Sequence, residues 1–137
     1  MKWINDRSVE MPMLEEQHRQ LLERFASVKE TLDKGLGWNA VYFSLAALIK
    51  NFESCAALEE TLMWFHNYPE CAHHKQEHED LLQSLHEMQK ANLTTGLTKQ
   101  TIGAAVASTM KHHLTQDRLL AQHLARHRGK RLCLSVA

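Results

Sequence analysis

Much of what usually announces chemistry is scarce in this chain. Cysteine occurs three times in 137 residues, at Cys55, Cys71 and Cys133, far apart and odd in number. With no CxxC pair, a zinc ribbon and a dithiol redox motif are excluded. Such sparing use of cysteine fits a reduced, cytoplasmic setting. Net charge is also missing, because sixteen Lys plus Arg balance sixteen Asp plus Glu. Nothing therefore points to nucleic acid or an anionic membrane as a partner. No contiguous apolar run approaches the roughly 18 residues of a membrane span. The opening Met1-Lys2-Trp3-Ile4-Asn5-Asp6 lacks an apolar h-region, so no signal peptide is expected. No clear strand alternation, internal repeat or low-complexity segment stands out.

What remains is one domain's worth of helix-forming sequence, 44% hydrophobic and long enough for a real core. Residues 1–12 read as an arm carrying Trp3 and Pro12, and 129–137 as a surface or frayed tail. Between them the breakers separate four helical stretches. The first runs from about Met13 to Lys34 and stops at Gly35-Leu36-Gly37. Its apolar stripe is Leu14, His18, Leu21, Phe25, Val28 and Leu32, in steps of three and four. The second runs from about Asn39 to Phe65, with the stripe Leu45, Leu48, Phe52, Cys55, Glu59 and Leu62, and Tyr68-Pro69 closes it. The third covers about Glu70 to Ala91, with Cys71, His74, His78, Leu81, Leu85 and Met88 in line. After a polar loop at 92–96, the fourth runs from about Thr98 to Arg128. Its stripe reads Ile102, Val106, Met110, His113, Asp117, Leu120 and Leu124, unless a local bulge puts Thr109 and His112 inward instead. Four long helices joined by short loops predict an all-α, antiparallel up-down-up-down four-helix bundle.

Histidine is plentiful, with ten in the chain, and several of the ten occupy stripe positions meant for leucine. So do two carboxylates and a cysteine. A buried neutral polar group without a partner costs roughly 2–7 kcal/mol, and a charge costs more. Several such groups converging in one bundle would prevent folding unless something satisfied them together, and metal ions do so. A lone histidine on an apolar stripe is more often a satisfied core residue than a ligand. His74 and His78 reverse that presumption, because residues four apart on a helix can grip one ion. Cys55 and Glu59 share the spacing. Glu59 lies mid-stripe, where a carboxylate is rarely buried unpaired, and the bland alternative is a rolled helix that exposes it with Glu60. Asp117 carries the same argument. Each carboxylate could bridge two ions, and imidazole with carboxylate suits iron or manganese, with zinc also allowed.

At these residues the chain resembles the hemerythrins, in their stand-alone bacterial form. That family reads as a His in the first helix, His-x3-Glu in the second, His-x3-His in the third and His-x4-Asp in the fourth. The matching segments are Gln17-His18-Arg19-Gln20-Leu21, then Cys55 to Met63 followed by Tyr68-Pro69, then His74-Lys75-Gln76-Glu77-His78, then His112 to Asp117. The opening Met1-Lys2-Trp3 fits as well. The resemblance implies two non-haem iron ions with an oxo or hydroxo bridge. His74, His78 and His112 would hold one, and His18 with the residue at position 55 the other. Glu59 and Asp117 would bridge them. O2 would be taken up at the less saturated iron, beside Cys55. Regular α geometry favours His113 over His112 as the partner of Asp117. The family pattern favours His112, which a π-turn would bring onto the same face.

Cys55 stands where the family has histidine, and three outcomes are open. It ligates as a thiolate, although it is shorter than histidine and a longer metal–sulfur bond recovers only a few tenths of an ångström (roughly 2.3 Å against 2.0–2.1 Å to nitrogen at zinc). Alternatively it packs as a small buried residue with water in the gap, or the second iron is weakly held. His66, His73, His86, His123 and His127 are expected at surfaces or helix ends, Cys71 in the core and Cys133 exposed. Phe25, Phe52, Trp64, Met63, Met88 and Met110 are expected in the core or as a dry wall around the site. The leading expectation is a protein that binds O2 or a related small oxidant, for storage, delivery or sensing. The alternative is a redox enzyme reducing peroxide, NO or O2, for which a separate electron-donor protein is a candidate partner.

Overall fold

The computed structural model describes residues 7–127, with side chains over 11–126. Trp3, Cys133, the tail and the side chain of His127 lie outside the described residues. Helix α1 spans Arg7–Asp33, α2 Trp38–Phe65, α3 Cys71–Thr94 and α4 Lys99–His112. One π-helical turn, His113–Asp117, joins α4 to α5, Arg118–His127. There are no strands among the described residues. Consecutive helices pack side by side, and α1 closes the ring against α4 and α5. Short connections make neighbours antiparallel, so the four-helix bundle is as expected, with α4, the π-turn and α5 acting as its fourth member.

Helix α1 begins earlier than the arm at 1–12 predicts, and Pro12 lies inside it. Proline there removes one helical hydrogen bond. Tertiary packing overrides that loss: Leu14 is buried with Leu62, Met63, Tyr68, Leu120 and Leu124, and Met11 packs on the same cluster. The end of α1 follows the glycine signal. Gly35 has φ +62, its N–H donates to the Leu32 carbonyl, and the Leu36 N–H donates to that of Thr31, which together make a Schellman stop. The end of α2 uses the same motif without glycine. Asn67 takes φ +54, with Asn67 N–H to Trp64 O and Tyr68 N–H to Met63 O. Thr98 caps α4 by accepting from the Thr101 N–H at 3.2 Å.

The predicted stripes face inward. The larger apolar cluster contains Leu21, Phe25, Val28, Leu45, Leu48, Phe52, Leu85, Met88 and Ile102. The smaller one gathers at the opposite end of the bundle around Leu14 and Leu124. Helix α2 is long and apolar enough, by length and composition, to cross a membrane, with mean hydropathy 1.2 in its most apolar window. This departs from the expectation of no such segment. In the fold it lies between α1 and α3 and carries Leu45, Leu48 and Ile49 into the core. Trp64, expected in the core or in a wall, is instead 76% exposed, because it falls outside the stripe on α2. Cys71 is half-buried against the smaller cluster.

Asn67 is the one non-glycine residue with positive φ among the described residues, and its short polar side chain tolerates that conformation. Asn67→Gly should therefore keep full stability, whereas Asn67→Val should lose roughly 1–2 kcal/mol. Urea unfolding curves of the two variants check the difference.

Candidate metal centre

Between the two apolar clusters every helix turns a polar group inward. Going along each helix, His18 follows Leu14 and precedes Leu21. Cys55 and Glu59 lie between Phe52 and Leu62, His74 and His78 precede Leu85, and His112 and Asp117 lie between Ile102 and Leu120. All seven residues named from the sequence come together. Glu59 is only 1% exposed, so α2 is not rolled to expose it.

The two carboxylates organise the cluster. Glu59 Oε1 lies 2.9 Å from His74 Nε2 and 2.8 Å from His78 Nε2. Asp117 Oδ1 lies 3.0 Å from His74 Nε2 and 2.9 Å from His112 Nε2. These five buried residues offer ligand atoms that all fall within 4.8 Å of one another. The other oxygens face elsewhere. Glu59 Oε2 lies 2.6 Å from His18 Nε2 and 3.5 Å from Cys55 Sγ, which donates to it. Asp117 Oδ2 lies 3.3 Å from both His18 Nε2 and His113 Nδ1. Each carboxylate thus offers one oxygen to each of two histidine groups.

The π-turn resolves the fourth helix. It brings the i, i+5 pair His112 and Asp117 onto one face, so Thr109 and His112 are buried in place of Met110 and His113. His113 is half-exposed but remains at the edge of the cluster.

Two carboxylates unforeseen from the sequence surround the ring. Glu60 Oε2 accepts from His78 Nδ1 at 2.8 Å, and Glu77 Oε1 accepts from His112 Nδ1 at 2.7 Å. Both are cross-helix contacts, and spacing along one helix carries no signal for them. A proton fixed on Nδ1 leaves the Nε2 lone pair for a metal. His66 lies at the end of α2, as expected of a helix-end residue, but both it and His123 are buried. His123 Nε2 donates to the His66 carbonyl at 3.1 Å, tying α5 to the end of α2. His73 and His86 are exposed, as expected.

The donor set fits a cation. His112 Nε2 and Asp117 Oδ1 are 2.9 Å apart and buried, yet neither makes a hydrogen bond in the protein. Both atoms belong to the group whose ligand atoms lie within 4.8 Å of one another. Such orphaned groups cost about 1–3 kcal/mol each, which a bound ion removes.

Residues 11–129 match the family model of the hemerythrin HHE cation-binding domain. The chain belongs to that family. Comparison with curated proteins and with solved structures found no match. Within the HHE fold, the buried His, Glu and Asp cluster is consistent with the family's cation site.

Electrostatics without an ion are those of a proton trap. Burial works to lower the pKa of His112, but the Asp117, Glu59 and Glu77 carboxylates outweigh it and push it up to about 10. His18 and His74 are raised in the same way against their burial. Burial works to raise Asp117, but the His112, His113 and His74 imidazoles win and hold it at about 2. Burial, reinforced by the charges of Glu59 and Asp117, pushes the Cys55 thiol well above its ordinary range.

Two outcomes follow. For His112 the folded pKa is raised, so its stabilisation is complete below pH 6.5 and fades as pH rises through about 10. For Asp117 it is depressed, so its contribution is complete above pH 3.8 and lost as pH falls through about 2. The metal-free chain should therefore lose melting temperature between pH 6.5 and about 10. Metal must displace these protons, so the stabilisation added by a divalent cation should grow over the same range. Thermal scans with chelator and with metal test both signs. Separately, Glu77→Gln should weaken metal affinity about 10–100-fold with little change in fold, which competition with a chelating dye measures.

Proposed function

We propose that the cluster holds two iron ions bridged by Glu59 and Asp117, and that the protein binds O2 or a related small oxidant there for storage, delivery or sensing. The observation that carries this reading is the divided orientation of both carboxylates, one oxygen toward His74, His78 and His112 and the other toward His18. Imidazole and carboxylate donors suit iron, and membership of the HHE family supports a cation. In this reading Cys55 stands where the family pattern has histidine. When bound, iron there would supply redox chemistry toward a small oxidant, held by His18, His74, His78, His112, Glu59 and Asp117.

The chain's own residues prepare the place. Glu60 and Glu77 hold the His78 and His112 rings by their Nδ1 protons. A cavity of about 30 Å³ adjoins the cluster, touching His18, Cys55, Glu59, His78, His112, His113 and Asp117, with Leu21, Leu22, Phe52 and Met110 among its walls. That is room for about one water-sized molecule. Its exposed wall is mostly apolar, which suits a small ligand of low polarity.

The Cys55 side chain on the cavity wall favours a second reading, a redox enzyme reducing peroxide, NO or O2 with electrons from a donor protein. In either reading the setting is the reduced cytoplasm, and neither nucleic acid nor membrane is a partner.

An anaerobic preparation should retain two irons per chain and develop a new absorption band with O2 that disappears when the gas is removed. Absence of iron, or of any band, rejects the carrier reading. Sustained turnover of peroxide with an electron donor, greatly changed in Cys55→His, would select the enzyme instead.

A further inference from the structure

The two halves of the cluster are unequal in nitrogen. Three imidazoles, His74, His78 and His112, serve one side, while His18 alone serves the other if Cys55 is its companion. Another imidazole is nevertheless present there. The His113 ring packs edge-on against His18, with centroids 4.5 Å apart and planes at 71°. Its Nδ1 lies 3.3 Å from Asp117 Oδ2, the same oxygen that His18 Nε2 approaches at 3.3 Å. Ligand atoms of His18, His113 and Asp117 all lie within 4.8 Å of one another. Cys55 belongs to a different triad, with His18 and Glu59, on the α2 side. His113 and Cys55 both line the cavity.

We infer that His113 supplies the nitrogen that position 55 lacks, so that the second ion sits toward the π-turn among His18 Nε2, His113 Nδ1 and Asp117 Oδ2. This rests on the two-ion reading above. Three physical arguments support it. In an unbroken α-helix two consecutive histidines point about 100° apart, and one of them leaves the cluster. The π-turn places Asp117 so that His112, five residues back, reaches Oδ1 while His113, four back, reaches Oδ2. Imidazole is also longer than a thiol side chain, so His113 reaches inward from a half-exposed position. Finally, a neutral nitrogen adds no third negative charge beside Glu59 and Asp117, as a thiolate would. Cys55 then remains a protonated thiol on the cavity wall, donating to Glu59 Oε2 at 3.5 Å.

Cobalt(II) is the probe, because it reports both stoichiometry and thiolate ligation in the absence of oxidant chemistry. The wild-type chain and Cys55→Ser should each bind two Co(II), with no thiolate-to-cobalt charge-transfer band in the wild type. His113→Ala should hold one Co(II) tightly and bind the second at least about tenfold more weakly, with unchanged helical circular dichroism, since the side chain is 39% exposed. Added imidazole should restore the second ion, which no loss of folding would allow. Unchanged second-ion affinity in both His113→Ala and His113→Gln overturns the inference. So does a thiolate band in the wild type that vanishes in Cys55→Ser. A wild-type chain that binds fewer than two Co(II) ions overturns the two-ion reading itself, and this inference with it.

Discussion

Everything in this bundle is arranged around two carboxylates buried where apolar side chains belong. Glu59 and Asp117 lie midway along their helices, closed off above and below by apolar clusters. A carboxylate in such a place keeps its charge only if opposite charge and donors surround it. Five imidazoles do so: His18, His74, His78, His112 and, at the edge, His113. They come from α1, α3 and the fourth helix, while Glu59 comes from α2. The polar layer therefore connects all four members of the bundle in one network. The apolar clusters supply the burial energy, and the polar layer dictates which helical faces can meet.

That network is satisfied without an ion only by taking up protons. Raised imidazoles and depressed carboxylates are the two sides of the same pairing. Even then the pairing is incomplete, because Asp117 Oδ1 has two imidazole nitrogens within 3.0 Å and a hydrogen bond from neither. A geometry adequate for electrostatics and poor for hydrogen bonding is what coordination directions produce. Glu60 and Glu77 add to this by holding Nδ1 protons at the periphery, which leaves Nε2 of His78 and His112 committed inward.

The stripes were legible in the sequence because a helix repeats its face every three or four residues. The same period that located Leu45 and Phe52 located Cys55 and Glu59. What was hidden depends on contacts between helices. Glu60 and Glu77 sit beside stripe residues and read as ordinary surface carboxylates until α3 is placed against its neighbours. His66 and His123 read as end residues because 57 positions separate them. Trp64 read as apolar, hence inward, although its step from Leu62 turns it to solvent. Pro12 read as a helix boundary because local propensity is all a sequence shows, and packing on both sides of it decided otherwise. The choice between His112 and His113 was open for a physical reason: it turns on a change of helical period that no single residue encodes.

That change of period also lets the fourth helix contribute a buried and a half-exposed imidazole to one cluster. In the side formed by His74, His78 and His112 all three rings are buried, although His78 and His112 also line the cavity. The side formed by His18, Cys55 and His113 lines the same cavity, but two of its members are only partly buried. Tight burial suits a group whose task is to hold. Partial exposure suits a group that must meet a molecule from outside. The π-turn forms part of both sides through Asp117, so a shift of one carboxylate oxygen is felt by the other. Asp117 thus joins the two sides over the length of a single carboxylate, with Oδ1 facing His112 and Oδ2 facing His113.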